Sequence, residues 1–130
     1  MSGEPSINDP DEYALVLKAF AMARSERGYV GGFVEWKSDR VIAKARGQLA
    51  DLDGFTPDEI RRKSVDFVNN GGQIRQSGET REEYAADYRF KYIVILPCDD
   101  FPRGVFVEFV LVDDDREGPV VHIVSAHRNC

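Results

Sequence analysis

Two hydrophobic rhythms divide the chain. Over the first two thirds, apolar residues recur at helical spacing, and from Arg89 onward they alternate with a period of two. Tyr13, Val16, Leu17 and Phe20 form the first helical stripe, behind Asp9-Pro10-Asp11-Glu12, which supplies an N-cap, a proline at the first helical position and a carboxylate three residues after the cap. Gly28 predicts the end of that helix. Thr56-Pro57-Asp58-Glu59 repeats the device. Here Phe55 before the cap and Ile60 at the fourth helical position make a hydrophobic staple, Ile60, Ser64, Phe67 and Val68 form the stripe, and Gly71-Gly72 is the stop. A further helix is expected over residues 39–52, with Val41, Ile42, Ala45 and Leu49 on one face and Gly54 at its end. Residues 29–36 leave several readings open: a turn at Gly31-Gly32, an early helix start, or a short strand through Phe33, Val34 and Trp36. Residues 73–88 are also open, with Thr80 and Glu83 placed to form a capping box for a short helix ending near Tyr88.

Residues 89–97, 105–112 and 119–126 read as strands rich in valine and isoleucine. The connections between them carry Pro, Gly and clustered Asp, and their shortness implies consecutive antiparallel hairpins. The expected class is α+β, with N-terminal helices packed on a C-terminal antiparallel sheet of three to four strands. Residues 1–130 read as one domain, with residues 1–8 as a flexible tail outside it.

Composition narrows the class. A 42% hydrophobic and 11% aromatic share is enough for a core without a metal or disulfide. The polar, acidic first ten residues lack the basic start and apolar run of a secretory signal, and the longest apolar stretch, residues 92–97, is too short to span a bilayer. Those features predict a cytoplasmic protein with no membrane partner, in which Cys98 and Cys130 are free thiols. No metal-ligand spacing is present and no cofactor is expected. A net charge of −6 lowers the expectation of binding nucleic acid over the whole surface and favours a basic protein partner or simple solubility.

Strand alternation then singles out two residues. If one parity holds across the sheet, Ile93, Ile95, Val107, Phe109, Leu111, Val121 and Ile123 form an apolar face that meets the helices. Tyr92, Val94, Leu96, Phe106, Val110, Val112, Val120 and Val124 fall on the other face, interrupted by Glu108 and His122. A carboxylate among valines is costly unless paired or wet, and an acid–imidazole pair is the minimum equipment for general acid–base catalysis. Glu108, His122 and Tyr92 are therefore the candidate catalytic residues, against the simpler reading of an exposed glutamate and a satisfied sheet histidine. Arg89, Lys91, Arg128 and His127 are the candidate anion-binding residues, His127 being placed by parity on the odd face beside Ser125. Arg75 and Arg81 stand with Arg89 and Lys91 at the entry to the sheet, and two readings are open for that group: an anion-binding patch, or separate charges paired with Glu79, Glu82 and Glu83. Asp113-Asp114-Asp115 lacks the alternating ligands of a calcium loop and reads as a hairpin turn.

The order of elements over residues 56–128, with Glu108 and His122 on neighbouring strands and arginines nearby, resembles the small ribonucleases of the barnase, EndoU, colicin and RelE type. That resemblance implies RNA as substrate, Glu108 as base, His122 as acid and an arginine on the phosphate. The chain departs from the pattern in its acidity and in placing no arginine on the even face. A second expectation stands beside it: a non-catalytic acidic module of the immunity or antitoxin kind that binds a basic protein, or a homodimer that closes its own sheet.

Overall fold

The computed structural model describes residues 9–24, 33–49, 56–99 and 101–129. The expected tail, the stops at Gly28 and Gly54, the Gly31-Gly32 turn, the Phe55 staple and Cys130 fall outside them.

Helix α1 spans Pro10–Ala23, and the Asp9 side chain accepts from the Glu12 backbone N–H as its cap. Val16, Ala19, Phe20 and Ala23 face the core, whereas Leu17 is 38% exposed and leaves the expected stripe. Strand β1, Val34–Trp36, settles the open segment before α2. Helix α2, Asp39–Gln48, is capped by Ser38 and ends at buried Leu49, short of the expected residue 52. Helix α3, Pro57–Asn69, starts on the Thr56 cap and buries Ile60, Ser64, Val65 and Val68, with Phe67 only half-buried. It ends in a Schellman motif: Gly72 N–H reaches Phe67 C=O at 2.7 Å, Gly71 N–H reaches Val68 C=O at 3.2 Å, and Gly71 sits at φ +90°.

Strand β2, Ile74–Gly78, and helix α4, Glu82–Ala85, occupy the second open segment. The Thr80/Glu83 box does not form; Arg81 takes the cap position without a side-chain bond. Strands β3 (Phe90–Cys98), β4 (Phe101–Asp113) and β5 (Val120–Arg128) are the consecutive hairpins. The class is α+β as expected, but the sheet has five strands in the order β1-β5-β4-β3-β2, and it is mixed, because β1 runs parallel to β5. Helices α1, α2 and α3 cover one face. Their buried residues share a core with Tyr92, Val94, Leu96, Val105, Val107, Phe109, Val121, Ile123 and Ala126, and Phe20 meets Phe109 edge to face at 5.1 Å.

One parity does not hold across this sheet. It holds in β4 and the start of β5, where Phe109 and Ile123 are fully buried. In β3 it is reversed: Tyr92 lies opposite Phe109, so the even residues of β3 point to the helices and Ile93 and Ile95 point away. In β5 the register steps from Phe109↔Ile123 to Glu108↔Ser125, so Val124 is the extra residue of a β-bulge. Beyond it Ala126 faces the core, and Ser125 and His127 turn to the outer face, the reverse of the expected side.

Candidate functional site

The outer face of the sheet, away from α1–α3, carries the polar residues. Glu108 projects from the middle of β4, between Ile93 and Ser125, and is 4% exposed. Its carboxylate accepts from the guanidinium of Arg81, which arrives from the segment between β2 and α4. Arg81 also binds Glu79 in bidentate fashion, Nε to Oε1 at 2.9 Å and Nη2 to Oε2 at 2.7 Å, and its backbone N–H caps Oε1 at 3.0 Å. The Glu79 side chain is wholly buried, and its hydrogen bonds from Arg81 hold its carboxyl down at about 2 despite that burial. The two carboxylates in turn raise the Arg81 guanidinium further above its already high value. Across these charges the Tyr84 ring lies 4.5 Å from Arg81 Cζ and 4.9 Å from Lys37 Nζ.

His122 sits on β5 opposite Val110 on one side and Glu35 on the other. Glu35 points outward because its neighbours Val34 and Trp36 are taken by the helix side; Trp36 Nε1 donates to Pro57 C=O at 2.9 Å. Burial pushes the half-buried imidazole below its usual range; Glu35 draws it up and Lys37 pushes it down. Glu108 and His122 thus share a face as expected, but they are offset diagonally across the bulge, and each has its own partner: Arg81 for Glu108, Glu35 for His122.

Tyr92 is not part of this group. The reversed parity of β3 places it on the core side, fully buried, where its hydroxyl donates to Glu12 Oε2 at 2.6 Å and accepts from Gln76 Nε2 at 2.9 Å. Burial raises its ionisation well above the usual tyrosine value, so it stays neutral.

The four anion-binding candidates are not gathered into one patch. Arg89 pairs with Asp9 at 3.2 Å and covers the Phe90 ring. Lys91 is on the outer face opposite Ser77, where its charge helps to hold Glu79 ionised. Arg128 lies over Phe101, and His127 stacks on Phe106, 4.6 Å between centroids at 15°. Arg81 pairs with Glu79, the second of the two readings of the charges at the entry to the sheet, and does not gather with Arg89 and Lys91 into a patch. Glu35, Lys37 and Tyr84 were not singled out by sequence reasoning; the available signal was faint, a charged residue between Val34 and Trp36.

No helix among the described residues is long and apolar enough to cross a membrane. No family model matches the chain, nor does any curated protein or solved structure.

Proposed function

We propose that this protein cleaves RNA phosphodiester bonds by acid–base catalysis on the outer face of its sheet, with His122 at the centre. The observation that carries the reading is the trio around that ring: a half-buried imidazole whose burial favours its neutral form, the Glu35 residue directly opposite it on β1, and the Lys37 ammonium on the same face. A neutral imidazole is a base, so His122 takes the role that the family resemblance gives to Glu108. His122 removes the proton of a ribose 2′-hydroxyl, and the 2′-oxygen bonds to phosphorus. The bond from phosphorus to the 5′-oxygen breaks, leaving a 2′,3′-cyclic phosphate. Glu35 stabilises the imidazolium that forms. Lys37 offsets the charge on the phosphate and gives the departing oxygen its proton, and both groups recover their starting states from solvent. Glu108 is paired with Arg81, which suits it to holding the Tyr84 segment against the sheet.

The test is a quenched fluorescent RNA oligonucleotide with an all-deoxy control. Wild type should cleave only the ribose form, and His122→Ala and Lys37→Ala should each lose on the order of 10²-fold or more with circular dichroism unchanged. Wild type that does not exceed buffer, or His122→Ala that matches wild type, removes the reading.

The alternative of a module for a basic partner draws support from the net charge of −6 and from the end of β4 and the turn after it, where Asp113, Asp114, Asp115 and Glu117 are all exposed. An inactive wild type that forms a salt-sensitive complex with a basic protein would favour it.

A further inference from the structure

A cavity of about 340 Å³ lies between α2 and the last part of β5, the strand that also carries His122. Its polar walls are Lys44 and Gln48 from α2 and Ser125 and His127 from β5, and Val41 and Ala45 give it an apolar side. It exists because of two features of the chain. Strand β1 pairs with β5 only through Ile123, so the edge of β5 beyond that point is left to α2. The bulge at Val124 then turns Ser125 and His127 onto the same face as His122.

We infer that this cavity is a nucleobase subsite, which seats the base next to the phosphate that His122 and Lys37 would act on; it rests on the reading of the outer face as an RNA-cleaving site. His127 is a flat ring fixed from two directions, by the Phe106 ring at 4.6 Å and by its Nδ1, which donates to Arg128 C=O at 3.0 Å. A ring held in this way is the platform on which bases stack in single-stranded RNA recognition. Gln48 and Ser125 each offer a donor and an acceptor, as the edge of a base requires. Lys44 is exposed at the side of the cavity, where a backbone phosphate would run. The volume is at the low end of the roughly 300–1,000 Å³ found for small-ligand pockets, which suits one base rather than a longer segment. Ser125 lies three residues beyond His122 on the same strand, with the bulge at Val124 between them, so both side chains stand on the outer face.

The probe is a fluorescein-labelled 2′-O-methyl tetranucleotide, which lacks the nucleophilic hydroxyl, compared by anisotropy with the same oligonucleotide carrying abasic sugars. Wild type should bind the base-bearing form on the order of ten- to a hundredfold more tightly. His127→Ala and Lys44→Ala should both weaken that binding, and His127→Ala should abolish the difference between the two oligonucleotides. Lys44 is exposed on its helix, so Lys44→Ala keeps the test decisive if His127→Ala does not fold. A wild type without base preference, or without binding, overturns the subsite, as does a His127→Ala protein that folds and keeps the preference, or a Lys44→Ala protein that binds as wild type does. Cleavage of the all-ribose tetranucleotide is scored separately. Base preference without cleavage keeps the subsite and removes the catalytic reading, and cleavage without base preference does the reverse.

Discussion

A single guanidinium holds together much of what the outer face contains. Arg81 is the counter-ion of two carboxylates, Glu79 with no exposed side-chain surface and Glu108 with 5%. Removing a partner from a buried ion network strands the charges that remain, so Arg81→Met should cost roughly 3–5 kcal/mol, read as a lower denaturant midpoint. Glu79 also gives the fold an acid limb. Its folded value is depressed from 4.5 to about 2, so the stabilisation is present above the higher value and is lost as pH falls towards the lower one. Glu79→Gln should flatten the stability profile in that window. His122 carries the corresponding signature for activity. Because burial lowers its value below 6.5, the rate should rise with pH and reach half its plateau below pH 6.5. Glu35 opposes that shift, so Glu35→Gln should move the acid limb to still lower pH; a limb that stays in place or moves up would remove Glu35 from the site.

At the scale of elements, the Asp9 and Thr56 caps and the Gly71-Gly72 stop were legible in the sequence and the relation between strands was not. Asp9 and Thr56 cap as read because the signal is local: a side chain and a backbone N–H three residues on. Facing in the sheet depends on turns, where a single residue decides. Cys98 pairs with Phe101, an even residue with an odd one, and the same holds up to Tyr92 and Phe109, so opposed residues in β3 and β4 differ in parity, and Tyr92 goes to the core while Glu108 stays outside. Val124 reverses β5 in the same way, and nothing in Ile123-Val124-Ser125 distinguishes a bulge from a regular strand. Partners from distant segments were equally hidden: Glu35 lies in, and Lys37 just after, a three-residue strand in a stretch that also reads as turn or helix. The local and non-local signals should differ in mutational cost. Thr56→Ala removes one exposed cap bond of 3.1 Å and should cost about 1 kcal/mol. Gly104→Ala should cost more, because φ is +81° and a Cβ would fall 2.4 Å from Leu96 C=O; equal urea midpoints for the two variants would contradict this.

Over the whole molecule, the start of α1 is tied to the far edge of the sheet by a buried polar chain. Gln76 Oε1 accepts from Asp9 N–H at 2.9 Å, Gln76 Nε2 donates to Asp9 C=O and to the Tyr92 hydroxyl, and Tyr92 donates to Glu12. Tyr92→Phe takes one of Gln76's hydrogen bonds, leaving those to Asp9, and removes the hydroxyl that donates to Glu12, and should cost about 1–3 kcal/mol. Hydrogen exchange should show the loss first in the opening turns of α1; protection unchanged there would mean that the chain is not what anchors the helix.

The place of β5 also sets an order in time. A chain emerging from its N-terminus makes α1, β1, α2 and α3 first, then the β2–β4 ladder, yet among the described residues the one strand beside β1 is β5, which is made after all of these and sits between β1 and β4. Until Val120–Arg128 has been synthesised, the early segments have only half a core to close on, and the open side of β4 waits unpaired. Folding should therefore complete in one late step, when the final strand slots between two parts of the chain that were made far apart.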